Sequence, residues 1–467
     1  MNTDRDTSSR MDRRTFLHST AAIGAGLFAG PGVFGAEAGK PDALNVGLIG
    51  LGEQCQRLVL QAIIEGDKDD AENIRFKAIC DVSPYKLKLF NGRLRAFKHD
   101  VTAYEDYEKM LADEKDLDAV IIATPDWTHA PMTIACLKAG INVYCEKEMS
   151  NSLEEAKKMV ETARSTKKLL QIGHQRRSNP RYIVAEEIIR KYRLTGRVKN
   201  ANAQWNRPVS GHSVPLPTGK AIVDDAILKK YGYGSMQELV NWRWYEKYGG
   251  GPLGDLGSHQ IDIFSWFLGD VNPTSVLAAG GKDYYNYQHD EDVMAVYEYQ
   301  SNMGTVRAFY QVLNTCGYGT YGAYYETFMG DVATLLISEF GGNWNNGWLF
   351  REDYAWADTD VLKRWAECEK AGLVGERNID AETKQQKEAL LKIGSSIAVP
   401  HFFQLLTKLE DAVHWPHLKN FFDAIRGKAK LNCPGEVGYA TAVAVLRANE
   451  AIRDGKKINF TKDDFKV

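Results

Sequence analysis

Cysteine is scarce in this 467-residue chain. The seven residues Cys55, Cys80, Cys136, Cys145, Cys316, Cys368 and Cys433 form no C-x-x-C pair and have no histidine spacing suited to zinc, so neither a metal site nor a disulfide framework is expected. Four of them fall in predicted strands, helices or turns of the first half, where cysteine behaves as a small buried hydrophobe. Charge of one sign is also lacking. Lys plus Arg number 58 against 61 Asp plus Glu, a net charge of -3, and no dense basic run occurs beyond the N-terminus. That excludes nucleic acid as an expected partner. Internal repeats and low-complexity tracts are missing as well. What is present, 44% apolar and 25% charged residues, is the average of soluble globular proteins. The length exceeds one ordinary core and predicts two domains with room for an insertion.

The chain starts with Asp12-Arg13-Arg14-Thr15-Phe16-Leu17, a glycine- and alanine-rich run from Ala21 to Phe34, and small residues at Ala36 and Ala38. Residues 1–40 resemble a bacterial twin-arginine signal, which implies export of the folded protein to the periplasm or beyond. The run is too short and glycine-rich to span a membrane, and no cysteine follows it to carry a lipid, so no stable anchor is expected after signal removal. Export of the folded protein carries any bound cofactor with it, and a cofactor scarce outside the cytoplasm is expected to be held tightly and returned to its starting state within each turnover.

From Leu44 to about Ile172, short apolar runs alternate with amphipathic stretches, the pattern of parallel βαβ units. Predicted strands are Leu44–Ile49, Phe76–Cys80, Leu117–Ala123, Asn142–Cys145 and Leu169–Ile172. Helices are predicted at Pro84–Phe97, Trp127–Ala139 and Leu153–Ser165. A doubly wound open sheet over 41–178 follows. Beyond Pro180 the strands Lys199–Trp205, Thr274–Ala279, Val293–Tyr299, Gly304–Val312 and Tyr324–Met329 come in series. They predict an α+β domain over 179–467 with an open, mainly antiparallel sheet and helices on one face, its other face closing a homo-oligomer. Residues 343–409 break the pattern and read as an insertion, whose Trp344, Trp348, Tyr354 and Trp356 suit a lid. Helices at His417–Arg426 and Val437–Asp454 close the chain.

The first strand runs into Gly50-Leu51-Gly52-Glu53-Gln54-Cys55, a G-x-G-x-x-G turn with cysteine at its last glycine. Gly50 permits the tight turn. Gly52 lets a pyrophosphate approach the backbone at the start of a helix, with Glu53 and Gln54 beside it. The second strand ends in Asp81, placed to accept both adenosine ribose hydroxyls and to repel a 2′-phosphate, so the Rossmann cofactor is predicted to be NAD.

Further along come Thr124-Pro125-Asp126-Trp127-Thr128-His129, Ala139-Gly140-Ile141-Asn142-Val143-Tyr144-Cys145-Glu146-Lys147, Gln171 to Arg177, Gly249 to Asp262, and His417 to Arg426. In that order these motifs resemble the Gfo/Idh/MocA oxidoreductase family over nearly the whole chain beyond the leader. The resemblance implies that Glu146 lies on the nicotinamide ribose and Lys147 beside the reacting carbon. It puts Thr124, Pro125, His129 and Gln175 on the cofactor's wall, with His129 and His174 in structural or wall roles. Glu148 stands where the family has proline, which puts a cis peptide there in doubt and places a carboxylate next to Lys147. Asp255 and His259 are four apart and share a face if the helix has begun by Gly254. His259 is the expected general base, Asp255 its orienter or a substrate contact, and Lys147 an electrostatic stabiliser of the oxygen. Arg176 and Arg177 are expected to touch substrate or cofactor. Trp205, Trp242, Trp244, Tyr245 and Tyr248 suit either sugar stacking or core packing. The expected activity is hydride transfer between NAD and a CH–OH group of a sugar, polyol or glycoside. The alternatives are a redox-neutral glycoside-cleaving or sugar-modifying cycle, and a non-catalytic binding protein.

Overall fold

A computed structural model describes residues 42–66, 73–209, 213–317, 324–339, 347–352, 358–376 and 401–467. The leader expected at 1–40 lies outside them. Six strands, β1 (Leu44–Ile49), β2 (Ile74–Cys80), β3 (Thr102–Tyr104), β4 (Ala119–Ile122), β5 (Asn142–Cys145) and β6 (Leu170–Ile172), form a sheet in the order β3-β2-β1-β4-β5-β6. All its pairs are parallel. This is the doubly wound order that brings the ends of β1 and β4 together at a switch point. Strand β4 is buried along its whole length, as a strand covered by helices on both faces must be. Local signals set the helix starts. Ser83 and Ser152 accept from the main-chain N–H groups of Lys86 and Glu155, and Pro84 occupies a first-turn position whose N–H would go unused.

The second sheet has ten strands in the order β14-β15-β13-β12-β11-β7-β10-β9-β8-β16. They are β7 (Val198–Asn206), β8 (Pro273–Gly281), β9 (Asp292–Ser301), β10 (Gly304–Leu313), β11 (Tyr324–Gly330), β12 (Ala333–Ile337), β13 (Trp348–Arg351), β14 (Val374–Glu376), β15 (His401–Leu405) and β16 (Ile458–Asn459). Only β7 and β10 pair in parallel. Alternation decides its two faces. Val306, Ala308, Tyr310 and Val312 of β10 point into a core shared with helix Ser258–Phe267, while Leu277, Met294 and Val296 of β8 and β9 stay exposed on the other side.

The segment 343–409 was expected to be an insertion. Its described residues extend this sheet through β13, β14 and β15, and Trp365 and Cys368 of helix Thr359–Lys370 bury with Phe403 into the same core. Trp348, expected in a lid, is buried in β13, whereas Trp344, Tyr354 and Trp356 lie outside the described residues. The C-terminal helices also return to the first sheet. Trp415, Leu418, Phe421 and Phe422 pack with Leu48, Leu58 and Ile79, each contributing about 1.5–3 kcal/mol by burial. Helix Gly435–Asp454 serves both cores, with Tyr439 and Val443 in one and Ala444, Val445 and Ala448 in the other. The two sheets accordingly belong to one compact unit, Lys40–Val467.

Candidate active site

At the end of β1, Gly50 has φ +85°, and a Cβ there would sit 2.5 Å from Thr124 Cγ2 and 2.7 Å from the Ala123 carbonyl oxygen. Only glycine lets the turn pass that close to β4. A Cβ on Gly52 would meet nothing within 4 Å, so the backbone at the start of helix Glu53–Gly66 faces open space, as a pyrophosphate cradle requires. Cys55, in the motif's third glycine position, is buried. Asp81 accepts the Leu51 N–H at 2.7 Å and the Ser83 N–H at 2.8 Å, one on each oxygen. It thus braces the glycine turn, and each oxygen retains a second acceptor direction for a ribose diol.

The side chain of Glu53 is exposed and paired with Arg57, not turned to a cofactor. Gln54 Nε2 donates to Glu146 Oε1 at 3.1 Å, and Tyr144 Oη donates to the same oxygen at 3.2 Å. Glu146 is buried, and a Cβ on Gly173 would stand 2.8 Å from its Oε2. Gly173 therefore makes room for this carboxylate, a role no sequence pattern announced. Thr124 accepts from the Thr128 hydroxyl at 2.8 Å, and Pro125 caps helix Asp126–Lys138.

His129, expected in a structural or cofactor-wall role, is a strut. It is fully buried, with Nδ1 2.7 Å from the Glu148 carbonyl and Nε2 2.8 Å from the Thr124 carbonyl. Gln175 is likewise committed, donating to Glu339 at 3.1 Å. The peptide bond Lys147–Glu148 is cis, contrary to the doubt raised by the missing proline. The Glu148 carbonyl is held by His129 there, and its Oε1 accepts the Met149 N–H at 2.8 Å. Burial pushes the Glu148 carboxyl up to about 8. The carboxylate beside the Lys147 ammonium is Asp255, with Oδ1 at 3.2 Å.

Asp255 falls in one turn of π-helix, Leu253–Gly257, and His259 in the helix Ser258–Phe267 that continues from it. Asp255 meets Lys147, Arg243 Nε at 3.0 Å and Arg207 Nη1 at 3.8 Å. Although burial works the other way, Arg243, Lys147 and Arg207 hold its carboxyl well below the usual carboxylate range. His259 is 5% exposed, and its Nδ1 has no hydrogen-bond partner among the described residues. Burial, then the positive charge of Lys147, drives its basicity well below that of free imidazole. Its unpartnered Nδ1 is available to accept a hydroxyl proton.

The ring of His259 lies 5.6 Å from Trp205 and 6.2 Å from His174. Both ring nitrogens of His174 lack partners among the described residues, so it joins the site more directly than expected. Trp205 stacks on Tyr324 at 4.7 Å. The remaining aromatics divide. Trp242, Tyr245 and Tyr248 pack with Trp127 and Tyr233 in a separate core, and Trp244 stacks on Tyr287.

Arg176 and Arg177 are not substrate contacts. Arg176 is 1% exposed and bound to Glu326 and Glu339. Arg177 is bound to Asp262 at 2.8 Å and to Asp270. A guanidinium buried this deeply is stable only when paired, and here the pairing is internal. Arg207 and Arg243, which reach the site in their place, carried no motif.

Residues 44–174 match the model of the oxidoreductase family with an NAD-binding Rossmann fold, and residues 229–320 match the GFO/IDH/MocA C-terminal domain. Residues 44–174 therefore carry the NAD-binding domain of the Gfo/Idh/MocA oxidoreductases, and the open cradle at Gly52 with the braced Asp81 fits that cofactor. The chain is 37% identical over 87 residues to inositol 2-dehydrogenase of Rubrobacter xylanophilus, covering 18% of this chain and 25% of that one. It is 32% identical over 182 residues to a glycosyl hydrolase family 109 protein of Shewanella baltica, covering 33% and 38%. The matches thus span less than two fifths of these curated relatives. A solved levoglucosan dehydrogenase, in complex with NADH and levoglucosan, superposes with TM-score 0.64 over 90% of this chain and 100% of that one. At 16% identity this likeness is one of fold.

Proposed function

We propose that this protein is an NAD-dependent Gfo/Idh/MocA oxidoreductase acting on a CH–OH group of a sugar, polyol or glycoside. The observation that carries the reading is the meeting of Lys147, just past the end of β5, with Asp255 at 3.2 Å, with His259 close enough for the Lys147 charge to act on it. NAD bound there supplies the hydride acceptor and, in a redox-neutral cycle, returns the hydride. His259 takes the hydroxyl proton. Lys147 steadies the oxygen as negative charge grows on it, and Asp255 fixes the ammonium in place through its side-chain and main-chain oxygens. Trp205 and Tyr324 offer a ring surface for the apolar face of a sugar.

Replacing His259 or Lys147 by alanine is expected to lower kcat/KM by about 10²–10⁴ with the nucleotide still bound. Full activity in His259→Ala would remove it as the base. Family 109 glycosidase relatives support the redox-neutral cycle as a second reading. In that case a glycoside panel turns over without added NAD and without a lasting rise in reduced-nicotinamide absorbance. Residues 12–17, with their paired arginines, support export by the twin-arginine route, and tight nucleotide retention goes with it. The exposed Leu277, Met294 and Val296, neighbours across β8 and β9, support a homo-oligomer closed through this sheet face.

A further inference from the structure

Three cations crowd one carboxylate at the open end of the site. Arg243 and Lys147 approach one oxygen of Asp255 at 3.0 and 3.2 Å, and Arg207 approaches the other at 3.8 Å. Neighbouring acids do not restore the balance. Glu53 is taken by Arg57 in its own helix, and Asp126, which accepts the Gly250 N–H at 3.1 Å, is pushed up to about 7 by burial. Two guanidiniums carry ten N–H donors between them, and a carboxylate offers about four acceptor directions, some already used by Lys147. Among the described residues, Arg207 has this one ion pair and its position 5.8 Å over the Trp205 ring.

Both arginine side chains are partly exposed, at 34% and 39%. They line a small surface cleft together with Trp244, Pro252, Asp255 and Asn314. Trp205 neighbours both ends of the site, with the Arg207 guanidinium 5.8 Å over its ring and the His259 ring 5.6 Å away. A substrate with its carbinol at His259 and Lys147 therefore has the arginines within reach of a further substituent. A neutral substrate would leave the positive excess uncompensated as it expels water, whereas an anion would satisfy it with forked hydrogen bonds.

We propose that the substrate is an anionic sugar whose carboxylate or phosphate monoester is received by Arg207 and Arg243. This rests on the oxidoreductase reading and names the substrate class for it. The full chain, purified with its nucleotide reduced, would be titrated with D-glucuronate, D-glucuronamide and D-glucose 6-phosphate, following nicotinamide fluorescence. At least one acid is expected to bind tenfold or more tighter than the amide, with the preference shrinking as salt is raised. Which acid wins distinguishes carboxylate from phosphate. Arg207→Gln and Arg243→Gln should each erase most of the preference, and Arg207→Lys should keep part of it, all with nucleotide retained. Equal affinity for acids and amide, including no binding of any, overturns the anion site and leaves the oxidoreductase reading standing. Protein that neither retains nor takes up NAD overturns both.

Discussion

Where β1 and β4 end, the site is made of main chain: a glycine at positive φ, an open run of amides, and a carboxylate braced by two N–H groups. Where the second sheet meets it, the site is made of side chains held by charge. Arg176 lies between Glu326 and Glu339, Arg177 against Asp262, and Asp255 among three cations. Backbone geometry suits a ligand that is the same throughout a family. Ion pairs joining distant strands can be exchanged one at a time, so they suit the half that must fit a particular substrate.

If that contrast is right, damage to the two halves has different signatures. Arg176→Met should cost about 3–5 kcal/mol of global stability in urea melts, because it leaves Glu326 and Glu339 buried without their cation. A loss under about 1 kcal/mol would mean that these charges do not hold the second half together. Gly50→Ala should lower NAD affinity about 100-fold, near 3 kcal/mol, since the new Cβ meets the Ala123 backbone. Titration of the stripped protein measures it, and wild-type affinity would show that the turn is more pliant than its geometry implies.

The smallest expected effect lies at the seam, in Glu148. Its folded carboxyl is raised above its unfolded value by burial, so its favourable contribution is complete below the ordinary carboxylate range and is lost as pH rises through about 8. Glu148→Gln should therefore leave stability nearly unchanged at pH 5 and raise it by about 1–2 kcal/mol at pH 9. Melts at the two pH values decide it, and an equal gain at both would exclude burial as the cause.

Much of the first half was legible. Each βα unit there is local, so β1 and β5 were read to the residue and the glycine turn was seen in its strand and helix context. The three-residue β3 and the short helix Tyr107–Asp113 were missed, being too brief for any periodicity to register. In the second half the early strands showed by alternation. β12 and the strands after 343 did not, because strands of five residues or fewer are too brief to show alternation and are defined by what they pair with.

The sequence by itself determined a Rossmann half that holds NAD, the second sheet's existence, and the candidacy of Lys147, Asp255 and His259, since those depend on period, turn chemistry and motif order. Tertiary structure alone decided what surrounds them. It sent Arg176 and His129 inward, brought Arg207 and Arg243 to Asp255, and wound the Asp255 segment into a π-turn. The reason is distance along the chain. Lys147 and Asp255 meet across 108 residues, and the energy of such a pair depends on burial and on every other charge nearby, neither of which a linear pattern contains.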